Sequence, residues 1–481
     1  LPGKPQAAIV APVSEEAISS AATAAPKPGT TLRHNYLSSI ENAAQSLGVM
    51  APTGTIGIIL PLLVIQAGNA TWISFLLTFI AFSLILYCIH RFATQYASAG
   101  ALSTYAELGL GRSMGIIAGW SYVVAMGVGV ASAAPSAAYY ANVFLTHVSG
   151  TPGTFLRGIF LTTLVIVVAW LVSHHDIKLS TKVMLAIEFG SVAIMVLIIG
   201  LAMTRSGAWV DKPQLHLEGA KLSGFQFAMV FGFMTLSGFE SVTALGEEAA
   251  HATRTIPRVI VSCLVPIGLL YLVVIYCLVS LGHKNGLALE QLEAPFDAIA
   301  RQMNLGALGY ASSLGIALSY FACTLGSLNA GSRVLYAMAQ KGEFASQFGK
   351  AHPVNSTPHR AIALLSVIGI AAPGALLLGR VSLVDCVNDL TQLASFGFIG
   401  AYFLVCLALP FYLRQRGVLR TADAVISAVA LIILGAVLGF SVLPLPPAPL
   451  RYLPYIYVVI MVGGVAASFG YLRKSGSPDV S

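Results

Sequence analysis

Twelve apolar runs divide this chain, each at least as long as the roughly twenty residues that cross ~30 Å of hydrocarbon. They lie at about 45–66, 71–96, 113–146, 154–173, 181–204, 222–249, 256–282, 306–339, 359–379, 387–413, 422–443 and 452–472, and are called spans 1 to 12. Lipid leaves such segments little choice. Every backbone polar group there must be bonded internally, so apolar runs of this length fold as helices. Charged residues make up only 9% of the 481 residues, against roughly 25% in soluble domains, too few to cover a water-facing surface. The expected fold is therefore an all-α integral membrane bundle of about twelve transmembrane helices. Spans 3 and 8 exceed a simple crossing and predict tilt or extension beyond the bilayer.

An even number of crossings puts both termini on one side. That side receives 18 of the 26 Lys and Arg residues and the other side 8. The excess predicts cytoplasmic termini in a cytoplasmic (inner) membrane. Net charge is +7, but the basic residues are scattered, with no block of five or six, which argues against nucleic acid. The expected partners are membrane lipid and a small molecule, with no obligate protein partner. Residues 1–35, rich in Ala, Pro, Ser and Thr toward their start, predict a disordered cytoplasmic tail and no signal peptide; 475–481 form a second short tail. The six cysteines include no C-x-x-C pair and read as small core residues. No G-x-x-x-x-G-K-[ST] phosphate loop is present, which argues against ATP-driven pumping. No nucleophile–base motif points to an enzyme, and no cofactor or metal is expected beyond a coupling proton or sodium ion. His174-His175-Asp176 sits in a short turn, where adjacent residues seldom converge on one ion.

Two spans carry interruptions. Span 1 contains Met50-Ala51-Pro52-Thr53-Gly54-Thr55 and a second proline, Pro61. Proline removes a backbone donor and disfavours helix before it. Span 6 contains Phe231-Gly-Phe233-Met234-Thr235-Leu236-Ser237-Gly238-Phe-Glu240. If spans 1–5 and 6–10 are repeats of opposite orientation, the two interruptions are equivalent positions, which is where transporters bind substrate. A broken helix exposes N–H groups on one side of the gap and carbonyls on the other. The first attract a carboxylate and the second an ammonium. N–H groups near Thr53, Gly54 and Thr55 suit the first task. Carbonyls near Val49, Met50 and Ala51, and near Met234, Thr235 and Leu236, suit the second.

The stretch Ser237-Gly-Phe-Glu-Ser-Val-Thr-Ala-Leu-Gly-Glu-Glu248 with Arg254-Thr-Ile-Pro-Arg258 resembles the sixth-span signature of the amino acid–polyamine–organocation (APC) permeases. Ser98-Ala-Gly-Ala-Leu-Ser-Thr-Tyr105, and Asn329-Ala-Gly-Ser-Arg-Val-Leu-Tyr336 with Thr357-Pro358, resemble two further motifs in register. The resemblance implies a 5+5 inverted-repeat fold of the LeuT type. Residues 36–215 and 216–415 would be the repeats and 416–474 two extra spans. It implies secondary transport of an amino acid, polyamine or related amine by alternating access, with substrate at the breaks in spans 1 and 6. The chain departs from the family's frequent Gly-Ser-Gly at the first break. It has Gly54-Thr55-Ile56, so Ile56 narrows the cavity or shifts the break toward Pro52. The aromatics near the second break, Phe231 and Phe233, are the gate candidates. Ser191 stands where several proton-coupled relatives carry lysine, with Glu188 one turn earlier.

Buried acids in a membrane are costly and mark function. Glu240 and Glu188 are the coupling or proton candidates. Glu247 and Glu248 are expected near Arg254 and Arg258, as a surface ion-pair cluster or inner gate. Thr324 and Ser327 are hydroxyls that could face a sodium ion opposite span 1. A potassium carrier on the same scaffold, or a ligand sensor that moves nothing, are the rival readings.

Overall fold

The computed structural model describes residues 31–220, 224–292, 294–443 and 448–474. Of the tail expected over 1–35, residues 1–30 lie outside the described residues, as does the tail 475–481. Residues 31–35 pack on the bundle: Leu32 is buried in a cluster with Ala99 and Tyr336, and Arg33 reaches Asp176 at 3.5 Å.

Sixteen α-helices follow among the described residues: α1 Ser39–Met50, α2 Pro52–Ala67, α3 Thr71–Ala93, α4 Ala101–Leu110, α5 Arg112–Ser149, α6 Phe155–His175, α7 Ile177–Ser206, α8 Lys212–Leu215, α9 Phe225–Leu236, α10 Ala252–Asn285, α11 Pro295–Gln302, α12 Gly306–Gln340, α13 His359–Leu378, α14 Leu383–Gln415, α15 Thr421–Val442 and α16 Leu453–Lys474. The β pairing among them is one isolated bridge, Leu37 with Ala249, so the fold is all-α. Side-chain oxygens start several helices by accepting an otherwise orphaned N–H. Ser38 does so from Glu41 in a reciprocal capping box, Thr154 from Arg157 and Ser382 from Asp385.

Among the described residues, eleven helical stretches are long and apolar enough to cross a bilayer. Ten match single expected spans. The remaining one, Ser39–Ala93, has 55 residues and holds spans 1 and 2. Straight, it would measure about 80 Å, well beyond one crossing. It bends at Ala51 and Gly68, both with positive φ. Helices α4 and α11 lie in connections and fall outside the twelve expected spans.

Burial sorts the helices into two shells. In the central stretches of α5, α12 and 228–245, 78%, 72% and 83% of residues are buried, against 22% in α6 and α16. The outer helices turn apolar residues outward: Leu156, Phe189, Ile432 and Val459 are all more than two-thirds exposed. A water-soluble protein does not show apolar residues at this density over its whole girth. The protein is a multi-pass membrane protein with lipid contact.

One end of the bundle is tied shut. Arg333 of α12 and Glu248, each 1% exposed, form a two-pronged ion pair, one of whose bonds, Nη2 to Oε1, measures 3.0 Å. The carbonyl of Glu248 accepts the N–H groups of Tyr36 and Leu37, at 2.7 and 2.9 Å. The surface cluster expected around Glu248 is thus corrected. Its partner is the buried Arg333, and Arg254 and Arg258 are exposed. The reason is desolvation: a carboxylate this deep needs a bidentate cation beside it. Behind the pair, Asn329 bonds Ser180 and Ser173 at 2.7 and 3.0 Å, and Gln45 bonds the carbonyl of Gly326 at 2.8 Å. Removing one member of a buried pair costs about 3–5 kcal/mol, while replacing both costs far less. Arg333→Met should therefore lower the melting temperature of the detergent-solubilised protein markedly, and Arg333→Met/Glu248→Met should recover most of the loss. A double variant no more stable than the single one would show that the pair does not act as a unit.

Candidate functional site

Helix α1 stops at Met50 because Ala51 takes the left-handed conformation, φ 44° and ψ 65°, and Pro52 then opens α2. Proline suits this first position, where its missing N–H would be unpaired anyway. The break thus lies before Pro52, three residues ahead of Gly54, and Ile56 is fully buried. Of the two expected consequences of Ile56, the structure has the shifted break. The Thr55 hydroxyl donates to the carbonyl of Met50 at 2.8 Å, and the Cys323 thiol to that of Val49 at 3.2 Å. The N–H groups of Thr53 and Gly54, in the first turn of α2, have no partner within the helix. The Thr53 hydroxyl is buried without a partner.

Helix α9 stops at Leu236. Ser237 is extended, Gly238 has φ 93°, and a 3-10 helix, Phe239–Leu245, continues the span. Only glycine fits at 238: a Cβ there would overlap Cγ1 of Val49, on top of the unfavourable φ. The two breaks are therefore in contact. Ser46 Oγ donates to the Phe239 carbonyl at 2.6 Å, and Ser241 Oγ to that of Gln45 at 3.3 Å. Helix α1 packs on the 3-10 helix and α2 on α9, so the first half of each interrupted span meets the second half of the other.

A cavity of about 220 Å³ adjoins the breaks. At the ~30 Å³ that a water occupies in the liquid, it has room for roughly seven waters or one small ligand. Thr55, Met234 and Ser237, of the expected binding residues, line it, as does the gate candidate Phe231. Met50, Ala51, Thr53, Gly54, Thr235, Leu236 and Gly238 stand behind this lining and build the breaks. Gly54 lies under the Tyr320 ring, where a methyl group on its Cα would come within 2.8 Å of Cε2. The Thr235 hydroxyl is spent on the Gly232 carbonyl at 2.6 Å. Phe233 is away from the cavity and stacks near Phe82 and Tyr402, with ring centroids 4.7 and 6.0 Å away. Of the two hydroxyls considered for sodium, Ser327 lines the cavity, and Thr324 donates back to the Tyr320 carbonyl at 2.9 Å.

Neither acid reaches the cavity. Glu240 is fully buried; one oxygen accepts the Tyr402 hydroxyl, which in turn accepts the N–H of Gly238 at 3.2 Å. Its other oxygen makes no hydrogen bond of good geometry, and the buried Tyr122 hydroxyl is its polar neighbour. Glu188 sits between α7 and α12, its two oxygens each 3.0 Å from Ser319 Oγ. His174, His175 and Asp176 do not gather on an ion: among the described residues no three such side chains are arranged to hold a metal. The family resemblance implies contacts from spans 3, 8 and 10 as well, but it names no residue of span 10. Asn388, Thr391 and Gln392 of α14 line the cavity. Their i, i+3, i+4 spacing is visible in the chain, but span 10 shows no break to draw attention.

The amino acid permease family model matches residues 43–446. The chain belongs to the amino acid permease family. This permease is thus a membrane transporter and not an enzyme. It is similar to the methylthioribose transporter of Bacillus subtilis, 24% identical over 75% of this chain and 76% of that one. It is similar to the vacuolar cationic amino acid transporter 4 of Arabidopsis thaliana, 24% identical over 73% of this chain and 59% of that one. The branched-chain amino acid permease BcaP of Bacillus subtilis is 22% identical over 72% of this chain and 74% of its own length.

Valine at Gly54 would push a side chain into the Tyr320 ring of α12, and valine at Gly238 would push one into Val49 across the break. Gly54→Val and Gly238→Val should each abolish uptake while the permease still inserts in the membrane, as read by transport assay and membrane fractionation. Normal uptake by both variants would remove the breaks from the site.

Proposed function

We propose that this permease is a secondary transporter that carries an amino acid, a polyamine or a related small amine by alternating access. The observation that carries the reading is the contact of two broken helices beside a ligand-sized cavity. In this reading residues 36–215 and 216–415 are inverted repeats of five crossings each, and 416–474 add two, twelve in all, with both termini cytoplasmic as the basic-residue excess favours. The crosswise packing of α1, α2, α9 and the 3-10 helix supports equivalence of spans 1 and 6.

A substrate carboxylate would take the N–H groups at the start of α2, and its ammonium the last carbonyls of α9, from Met234 to Leu236. These main-chain groups replace water without a mobile side chain to reorder. The cavity runs on past Ile58, Leu62 and Asn388 toward a second opening at Tyr139, Gln291 and Leu292, away from the Arg333–Glu248 seal. With cytoplasmic termini this is an outward-directed path. Phe231 lies along it as a gate. Rocking of the bundle must then open the sealed end, and a guest can drive that only by binding the two states unequally.

Coupling falls to a proton or a sodium ion, with Glu240 and Glu188 as the carriers. Glu240 suits the role because Tyr402 connects it to the N–H of Gly238, so a proton gained or lost at the acid changes a hydrogen bond at the break. Uptake into proteoliposomes under an imposed pH gradient tests this. Glu240→Gln should flatten the pH dependence of uptake; an unchanged profile would take Glu240 out of coupling. Binding without flux under any gradient would contradict transport itself.

A further inference from the structure

We infer that the cavity selects a guest whose tail is uncharged, so that neutral amino acids are carried and cationic amino acids, acidic amino acids and polyamines are not. This rests on the transport reading of the same cavity and narrows its substrate class. Among the described residues, no Asp, Glu, Lys, Arg or His lines the space. The two buried acids nearest the breaks are turned elsewhere: Glu240 to Tyr402, and Glu188 to Ser319. Asp389, beside Asn388 in sequence, is 7% exposed and is not among the residues that line the cavity.

The breaks supply one partial positive end and one partial negative end, which satisfies a zwitterionic head and leaves nothing over. A second ammonium or a guanidinium would leave water for a chamber that offers it no anion. Isolated charges are expelled from such surroundings. A diamine fares worse, because it also lacks the carboxylate that the α2 N–H groups would meet.

What the chamber offers to a tail is neutral. Asn388, Thr391 and Gln392 stand on one face of α14, partly exposed to the cavity, and their side chains make no hydrogen bond with another described residue. Across from them, Ser132 and Ser136 of α5 spend their protons on the Gly129 and Ser132 carbonyls, at 3.2 and 2.8 Å. Their lone pairs remain for a donor on the guest. Amides and hydroxyls with open valences, set among Ile59, Phe398 and Met234, fit an uncharged tail, apolar or hydrogen-bonding.

The experiment is uptake by the full-length permease in proteoliposomes, with glutamine, threonine and leucine, then arginine, glutamate and putrescine, and a methylthio-pentose as a neutral solute without an amine. We expect the neutral amino acids to be carried and each charged-tail compound to lag by about tenfold or more. Gln392→Glu should raise arginine uptake relative to glutamine, since it places an anion in the chamber. Arginine or putrescine carried by the unaltered permease as well as glutamine would overturn the inference and leave the transport reading standing. Uptake of the thio-sugar alone would overturn the amine reading while keeping the uncharged guest. A folded permease that carries none of the panel would overturn both.

Discussion

Two interruptions in apolar helices lean on each other here, and the rest of the bundle is arranged around that contact. An unbonded peptide group in hydrocarbon costs several kcal/mol. A chain can leave one at mid-membrane only if protein or a polar cavity surrounds it. The permease meets that condition by bringing both breaks together: Val49 fills the space that a side chain at residue 238 would need, and Ser46 and Ser241 tie the two segments crosswise. The long central helices α5, α12 and α14 enclose the pair and leave one cavity beside it.

The two ends of the bundle differ in kind. One is held by a dry ion pair and by amide and hydroxyl bonds that draw α1, α6, α7 and α12 together with the segment before α1. Toward the other end lie two adjoining cavities that share Ile58, Leu62, Val387 and Asn388 and are lined by apolar and uncharged polar side chains. Such an arrangement suits a carrier at rest with one side shut. The ties at the shut end are short and directional, and small apolar clusters around Leu32 and Leu37 pack beside them.

Much of this is legible in the amino-acid order. Hydropathy marks the apolar helices because a long apolar run can bond its own backbone in lipid only as a helix, and Pro52 and Gly238 mark the interruptions because each imposes a backbone constraint that no neighbour can mask. Other features depend on distance across the fold. Ala51 carries the left-handed turn, though nothing about an alanine announces it; the following proline only disfavours the right-handed helix there. The arginines nearest to Glu248 in sequence are Arg254 and Arg258, yet its partner is 85 residues away on α12. Phe231 and Phe233, two residues apart, resemble each other as gate candidates, and helical geometry sends one to the cavity and the other to an aromatic cluster. Asn388, Thr391 and Gln392 become a wall only because the fold turns α14 toward the breaks.

The central claim is that main-chain groups at the two breaks hold the guest's charged head. The direct test is a cryo-EM map of the permease in lipid nanodiscs with a transported neutral amino acid. The account predicts density for the head group within hydrogen-bonding reach of the N–H groups of Thr53 and Gly54 and the carbonyls of Met234 to Leu236, with the tail toward α14. Density elsewhere in the molecule, or helices running unbroken through residues 50–52 and 236–239, would contradict it.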